Sequence, residues 1–288
     1  MNKVKQNWHK PVTQLLASAR LHRLLVWSVV LTVACLVVLQ SGVSITTKQN
    51  ADIVGWITRL QELNDAKLSR QPDNQPETAR PLLMPWRGPV RPMPLEPGAA
   101  AVVYNIPTSD PVVFLTIDDG VVQNPEAGEW LEFSRLPFTL FLDDHAIRNN
   151  YGYFKRLTDA GMNVQNHTVN HARLKKLSFD GQKAEICGAS DIFANVFGQR
   201  PVLFRPPYGQ FNDDTRRAVL DCGMRAIVMW RAVVEKGHLH YQFGKTHLEA
   251  GDIVLMHFTK NFMADIEAFT AQANSDHLRI GRLEDWLK

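Results

Sequence analysis

From about Ala99 to the C-terminus, short apolar runs alternate with helix-length segments, and this alternation restricts the fold more than any other feature of the chain. Residues 112–117, 138–142, 163–165, 203–204, 225–230 and 253–256 read as strands. Between and after them, residues 124–133, 153–160, 178–197, 213–222 and 265–274 read as helices, with Gly161 and Gly198 as stops. Parallel strands need long crossovers, and helices supply them, so the rhythm predicts parallel α/β architecture, either a barrel or a wound sheet. In such folds functional side chains gather where strands end. Three chemically loaded segments lie at or beside predicted strand ends here.

The first is Thr116-Ile117-Asp118-Asp119-Gly120. Asp-Gly is a turn signal in its own right. Two adjacent carboxylates at a strand end also point in different directions, so one can bind a metal while the other faces substrate. The second is His167-Thr168-Val169-Asn170-His171. A spacing of four on a helix or helical turn, with Asn166 as N-cap, puts both imidazoles on one face and begins a zinc site. Two surface histidines would look the same. The zinc-protease helix has Glu after its first His; Thr168 stands there, so a hydrolytic base must come from elsewhere, and Asp118 is available. The third is Arg205-Pro206-Pro207-Tyr208-Gly209. Its prolines stiffen the loop, which reads either as a surface turn or as a mount holding Arg205 against a carboxylate and the Tyr208 N–H as an oxyanion donor. His257 ends the run 253–256, as a structural residue or as an acid for a leaving amine.

These segments resemble, in order and spacing, the motifs of the polysaccharide deacetylases, carbohydrate esterase family 4, over about residues 105–288. Ile117 replaces the Phe of the family's first motif; His167–His171, Arg205–Tyr208 and the Leu-x-His at 255–257 match the second, third and fifth. The resemblance implies a distorted (β/α) barrel. It also implies that Asp119, His167 and His171 bind zinc or a similar divalent ion such as cobalt, that Asp118 is the general base, that Arg205 orients Asp118, and that His257 is the general acid. The fourth motif departs from the family. Where Asp and Trp are expected after 227–230, the chain reads Arg231-Ala232-Val233-Val234-Glu235. Either Glu235 substitutes for the aspartate that tunes the acid histidine, or His257 is tuned differently.

Residues 24–39, LLVWSVVLTVACLVVL, carry no charge. With a weaker continuation to 45 they reach the roughly 20 residues that cross a bilayer core. Lys3, Lys5, Lys10, Arg20 and Arg23 precede them without an acidic residue, which orients the N-terminus to the cytoplasm and the rest outside. A cleaved signal peptide is the competing reading, but the run is long and no small-x-small site follows it. A helix near 51–68 and a proline-dense spacer come next. The organisation expected is a basic tail at 1–23, a single-pass membrane anchor at 24–45, helix and linker at 46–98, and a catalytic domain at 99–288. Without the tail the chain holds 27 basic and 29 acidic residues, a net of −2, which argues against a nucleic-acid partner. Outside the membrane Cys187 and Cys222 can form a disulfide or stay as two buried thiols.

The function expected is removal of N-acetyl groups from a cell-envelope polysaccharide, with peptidoglycan sugars as the target. A glycan-binding relative without activity, an O-acetyl esterase or other amidohydrolase, and a non-haem iron oxygenase built on the same two-His, one-carboxylate set are the alternatives. Sugar, linkage, native metal and oligomeric state stay open at this level.

Overall fold

Residues 83–93 and 98–288 are described by the computed structural model of the chain. They fall within a unit spanning Ala79–Lys288. The expected basic tail, the anchor at 24–45 and the helix near 51–68 lie outside the described residues. Among those residues no helix is long and apolar enough to cross a membrane.

The strands are β1 (Ala101–Val103), β2 (Val112–Asp119), β3 (Thr139–Leu142), β4 (Asn163–Asn166), β5 (Leu203–Phe204), β6 (Ala226–Val228), β7 (Ala232–Glu235), β8 (His238–Tyr241), β9 (Ile253–His257) and β10 (Arg279–Ile280). Interleaved with them are α1 (Pro125–Ser134), α2 (Asp144–Ile147), α3 (Tyr151–Asp159), α4 (Phe179–Phe197), α5 (Asp213–Asp221), α6 (Phe262–Ser275) and α7 (Leu283–Trp286). The sheet runs β1-β6-β5-β4-β3-β2-β9-β7-β8, with β10 beside β2. Its pairings are parallel apart from the β7–β8 hairpin. Residues 229–231 join β6, near one end of this order, to β7, near the other, so the sheet curls back on itself into the distorted barrel form.

Caps explain the helix boundaries. Asn124 accepts from the Glu126 N–H ahead of Pro125, and Ser178 accepts from the Gly181 N–H. Asn212 and Thr215 form a reciprocal capping box. Gly198, in the left-handed region at φ 73°, ends α4 because a residue without Cβ reverses the chain there at little cost.

Side-chain alternation along β2 divides the core in two. Val113, Leu115 and Ile117 pack with helix residues such as Leu131, Phe154 and Phe269. Phe114 faces the other way, with Phe141, Leu203, Val228 and Ile253, and Leu283, Trp286 and Leu287 close that cluster. Thr116 and Asp118 share the parity of Phe114, so the first motif's interior acid stands at the C-terminal end of this filling.

Three details differ from the expected pattern. The strand expected at 225–230 ends at Val228, because the Val228 and Met229 carbonyls accept from Arg205 Nε and Nη2, at 3.1 and 3.2 Å, instead of continuing a ladder. The β7–β8 hairpin turns on Lys236 and Gly237, both at positive φ, a weaker turn signal than Asn-Gly. Part of the stretch assigned to the linker packs on the domain: Leu83 is buried, the Trp86 N–H donates to Ile280 O at 2.7 Å, and the Met93 N–H donates to Trp286 O at 2.8 Å.

Candidate active site and metal centre

Five strands deliver the chemistry to one end of the curled sheet. β2 ends in Asp118 and Asp119, and β9 sets His257 in register with Asp118. β4 leads into His167, β5 into Arg205, and β6 into the carbonyls that hold Arg205. Asp119 and Gly120 lie at φ 71° and 95°. A Cβ on Gly120 would meet Ile147 Cγ2 at 2.5 Å, so the Asp-Asp-Gly turn needs glycine last.

The two histidines do not share a helix. Asn166 ends β4, its Oδ1 accepts the Thr168 N–H, and its Nδ2 donates to Ile186 O and Ser190 Oγ. Thr168 and His171 take left-handed conformations, at φ 76° and 50°. The chain thus folds back tightly and brings the imidazoles to 4.9 Å between ring centroids. The spacing of four is met by a loop, with Asn166 as its brace rather than as a helix cap.

Asp119 Oδ1 lies 3.4 Å from His167 Nε2 and 3.4 Å from His171 Nε2. The three ligand atoms fall within 4.8 Å of one another. Asp119 Oδ1 is buried and has no hydrogen-bond partner. His167 Nδ1 sits 2.7 Å from Arg205 O. A carbonyl only accepts, so Nδ1 carries the proton and the Nε2 lone pair faces Asp119. Zinc–ligand distances of about 2 Å put tetrahedral donors about 3.3 Å apart, which both Asp119–imidazole distances meet. An orphaned buried carboxylate oxygen facing imidazole lone pairs fits a divalent cation.

The three groups are also coupled electrostatically. Burial works to raise the Asp119 carboxyl, but His167 foremost, then His257 and His171, outweigh it and hold it lowered. Burial disfavours the charged form of His167, yet Asp119 and Asp118 outweigh it and raise that imidazole. His171 is lowered, by burial and then by His167.

Asp118 stands apart from this set. Its Oδ1 accepts from Arg205 Nη1 at 2.7 Å, and its Oδ2 lies 3.8 Å from His167 Nε2. Arg205 is fully buried, and burial pulls its guanidinium below its usual range against the opposing pull of Asp118. Thr116 Oγ1 takes a second bond from Nη1 at 2.7 Å. Phe141 and Trp230 lie 4.4 and 5.5 Å from the guanidinium carbon. Thr116 and Trp230 carried no sequence signal of this role. Tyr208 is half exposed at φ 60°, its ring 4.6 Å from that of His171. The Gly209 and Gln210 N–H groups donate to Pro206 O and Pro207 O, whereas the Tyr208 N–H just before them meets no acceptor among the described residues.

Glu235 is exposed on the hairpin, 3.9 Å from His240 Nε2. Besides Asp119, a buried carboxylate that interacts with His257 is Asp265, in the first turn of α6, with its Oδ1 accepting the Gly237 N–H at 2.7 Å. Neither the strand rhythm nor the motif spacing pointed to it.

A family model for polysaccharide deacetylases matches residues 105–227. The chain is 42% identical over 191 residues to an uncharacterised protein of Streptomyces coelicolor, covering 65% of this chain and 77% of that one. It is 26% identical over 138 residues to a peptidoglycan-N-acetylglucosamine deacetylase of Bacillus cereus, covering 47% and 63%. With a peptidoglycan-N-acetylmuramic acid deacetylase of Bacillus subtilis it shares 24% over 160 residues, covering 52% and 61%. The chain thus spans under two thirds of these two characterised relatives. Among solved structures, a family 4 carbohydrate esterase pseudoenzyme from Bacillus anthracis has the same fold, with a TM-score of 0.56 at 23% identity, covering 65% and 69%. Motif order, curled sheet and overall similarity agree, and the chain belongs to the polysaccharide deacetylase family, carbohydrate esterase family 4.

Proposed function

We propose that the chain is a metal-dependent hydrolase that removes N-acetyl groups from a cell-envelope polysaccharide, with peptidoglycan sugars as substrate. The observation that carries this reading is the separation of two adjacent acids: Asp119 turned to two imidazoles, Asp118 turned to a buried arginine. Relatives named for both peptidoglycan sugars support the substrate class without choosing the sugar.

Asp119, His167 and His171 would hold a zinc or similar ion, whose chemistry is Lewis-acid polarisation of a carbonyl and a lowered water pKa. Arg205 holds Asp118 in one orientation, and Asp118 takes the proton as water attacks the acetamide carbon. The oxyanion that forms on the substrate faces the free Tyr208 N–H. His257, one strand over, gives a proton to the departing nitrogen, and acetate and the free amine leave. The C–N bond breaks, a C–O bond forms, and water supplies both hydrogens in balance.

An iron oxygenase would leave the Asp118–Arg205 pair without a task. A non-catalytic glycan binder is the reading favoured by the altered fourth motif. Acetate release from purified peptidoglycan and from chito-oligosaccharides, with and without chelator, separates the two. The expected result is chelator-sensitive acetate release. Saturable wall binding with no acetate at any metal loading would leave the binder.

The apolar segment 24–39 supports a membrane anchor with the domain outside the cytoplasm, and the Cys187–Cys222 bridge supports an oxidising compartment. Protease digestion of intact cells tests this: loss of the domain is expected, and full protection would exclude it.

A further inference from the structure

The loop that carries the two histidines ends in a cation with no counter-charge. Glu185 clamps this loop through the Val169 and Asn170 N–H groups, at 3.1 and 2.9 Å, and through Asn170 Nδ2 at 2.8 Å. Leu174 is fully buried and pins the turn that follows. Arg173 is held between these two points. Its guanidinium carbon lies 4.1 Å from the centroid of the Tyr208 ring, which packs in turn on His171. Arg173 makes no ion pair and donates no side-chain hydrogen bond among the described residues, and Lys175 and Lys176 beside it make no ion pair there either. Several other surface cations are paired, such as Arg91 with Asp110 at 2.7 Å, Arg156 with Glu132 at 2.9 Å, Lys183 with Asp221 at 2.9 Å and Arg200 with Asp191 at 2.6 Å; what marks Arg173 is its seat on the Tyr208 ring beside His171.

A guanidinium laid on an aromatic face loses little water or freedom there, and its edge N–H groups stay free for a carboxylate in bidentate geometry. The anion it meets must sit close to the acetamide held at His171 and Asp119. The two N-acetylated sugars of peptidoglycan differ in one such group. Muramic acid carries a 3-O-lactyl ether, on the ring carbon next to the acetamido carbon, and that ether ends in a carboxylate. A stem peptide converts the carboxylate to a neutral amide.

Resting on the deacetylase reading above, we propose that Arg173 binds the lactyl carboxylate, and that the chain selects N-acetylmuramoyl residues free of peptide over N-acetylglucosaminyl residues. Arg173 is the specificity-determining residue, and Lys175 and Lys176 add attraction at longer range.

The test compares the parent chain with Arg173→Gln and Arg173→Lys on three substrates: peptide-free glycan strands, the same strands bearing peptide, and chito-oligosaccharides. Acetate release gives kcat/KM, calorimetry gives binding, and melting temperature with zinc uptake reports an intact domain. In the parent, the peptide-free strands are the best substrate. Arg173→Gln lowers their preference over chito-oligosaccharides roughly ten- to a hundredfold, the worth of one charge-assisted contact, mainly through KM. Arg173→Lys restores part of it. An unchanged preference, an equal loss on all three substrates, or a loss confined to peptide-bearing strands overturns the assignment. Acetate release without an Arg173-dependent preference sinks this inference and leaves the deacetylase standing. Arg173-dependent binding of peptide-free strands by a chain that releases no acetate does the reverse. A chain that neither binds nor hydrolyses any of the three removes both.

Discussion

Arg205 Nη1 lies 2.7 Å from Asp118 Oδ1, and both side chains are buried. Removing one partner leaves the other charge uncompensated, at a cost of about 3–5 kcal/mol. Asp118→Asn and Arg205→Met should therefore both lower thermal stability. Loss of the base should also cut kcat about 10²–10⁴-fold. The double variant Asp118→Asn/Arg205→Met should regain much of the stability and none of the turnover. Melting temperatures and acetate release check this together. Full activity in Asp118→Asn would remove that residue as the base.

The metal ligands make a different prediction, because His171 is half-buried while His167 is enclosed and bonded to Arg205 O. His171→Ala should fold and fail to take up zinc. His167→Ala should lose zinc and stability together. A ligand that binds only the folded chain stabilises it by about 2.7 kcal/mol at a hundredfold excess over its Kd. The parent's melting temperature should thus rise with zinc, and that of His171→Ala should not. An equal rise in both would exclude His171 as a ligand.

Chemical type and spacing were readable from the sequence; the conformations that make them converge were not. Asp118, Asp119, His167, His171 and Arg205 stand out because few sequences place those groups at strand ends in that order. The helix or helical turn expected under His167 and His171 is replaced by a loop, because Asn166 uses its side chain to brace β4 and two residues take positive φ. Thr116 belongs to the first motif but has no role of its own legible there, and its hydroxyl is drawn to Arg205 by the pleat of β2. Asp265 lies eight positions past His257 on a helix, and the folding of the β7–β8 hairpin over it is a tertiary event. The break at Val228 follows from a guanidinium taking backbone carbonyls, which strand propensity does not encode.

The Cys187–Cys222 disulfide ties α4 to the C-cap of α5 across a separation of 35 residues. Closing a loop of that length contributes roughly 2–4 kcal/mol, chiefly by restricting the unfolded chain. Neither cysteine touches the metal set. Cys187→Ser/Cys222→Ser should lower the melting temperature and leave kcat at 25 °C unchanged. A kcat that falls with the bridge would show that α4 transmits its packing to the 167–173 loop, which Glu185 of α4 clamps.

Glu284 yields a pH prediction remote from the site. It enters the closed end of the sheet from α7, accepting from Thr139 Oγ1 at 3.1 Å and Gln165 Nε2 at 3.2 Å. Burial, only partly opposed by these bonds, pushes its carboxyl from 4.5 up to about 7. The folded state therefore binds a proton more tightly than the unfolded state. Unfolding releases that proton between pH 4.5 and about 7, so stability falls as pH rises across this window. Below 4.5 the protonated form is present in both states and the contribution is complete. Above about 7 the folded chain must hold an unpaired buried charge, a loss on the order of 3 kcal/mol. Glu284→Gln keeps the shape and the hydrogen bonds of the neutral acid without the titration. It should melt higher than the parent at pH 8 and close to it at pH 4.5. Denaturant midpoints at the two pH values measure the difference, and parallel pH dependence in both proteins would show that Glu284 stays ionised in the folded chain.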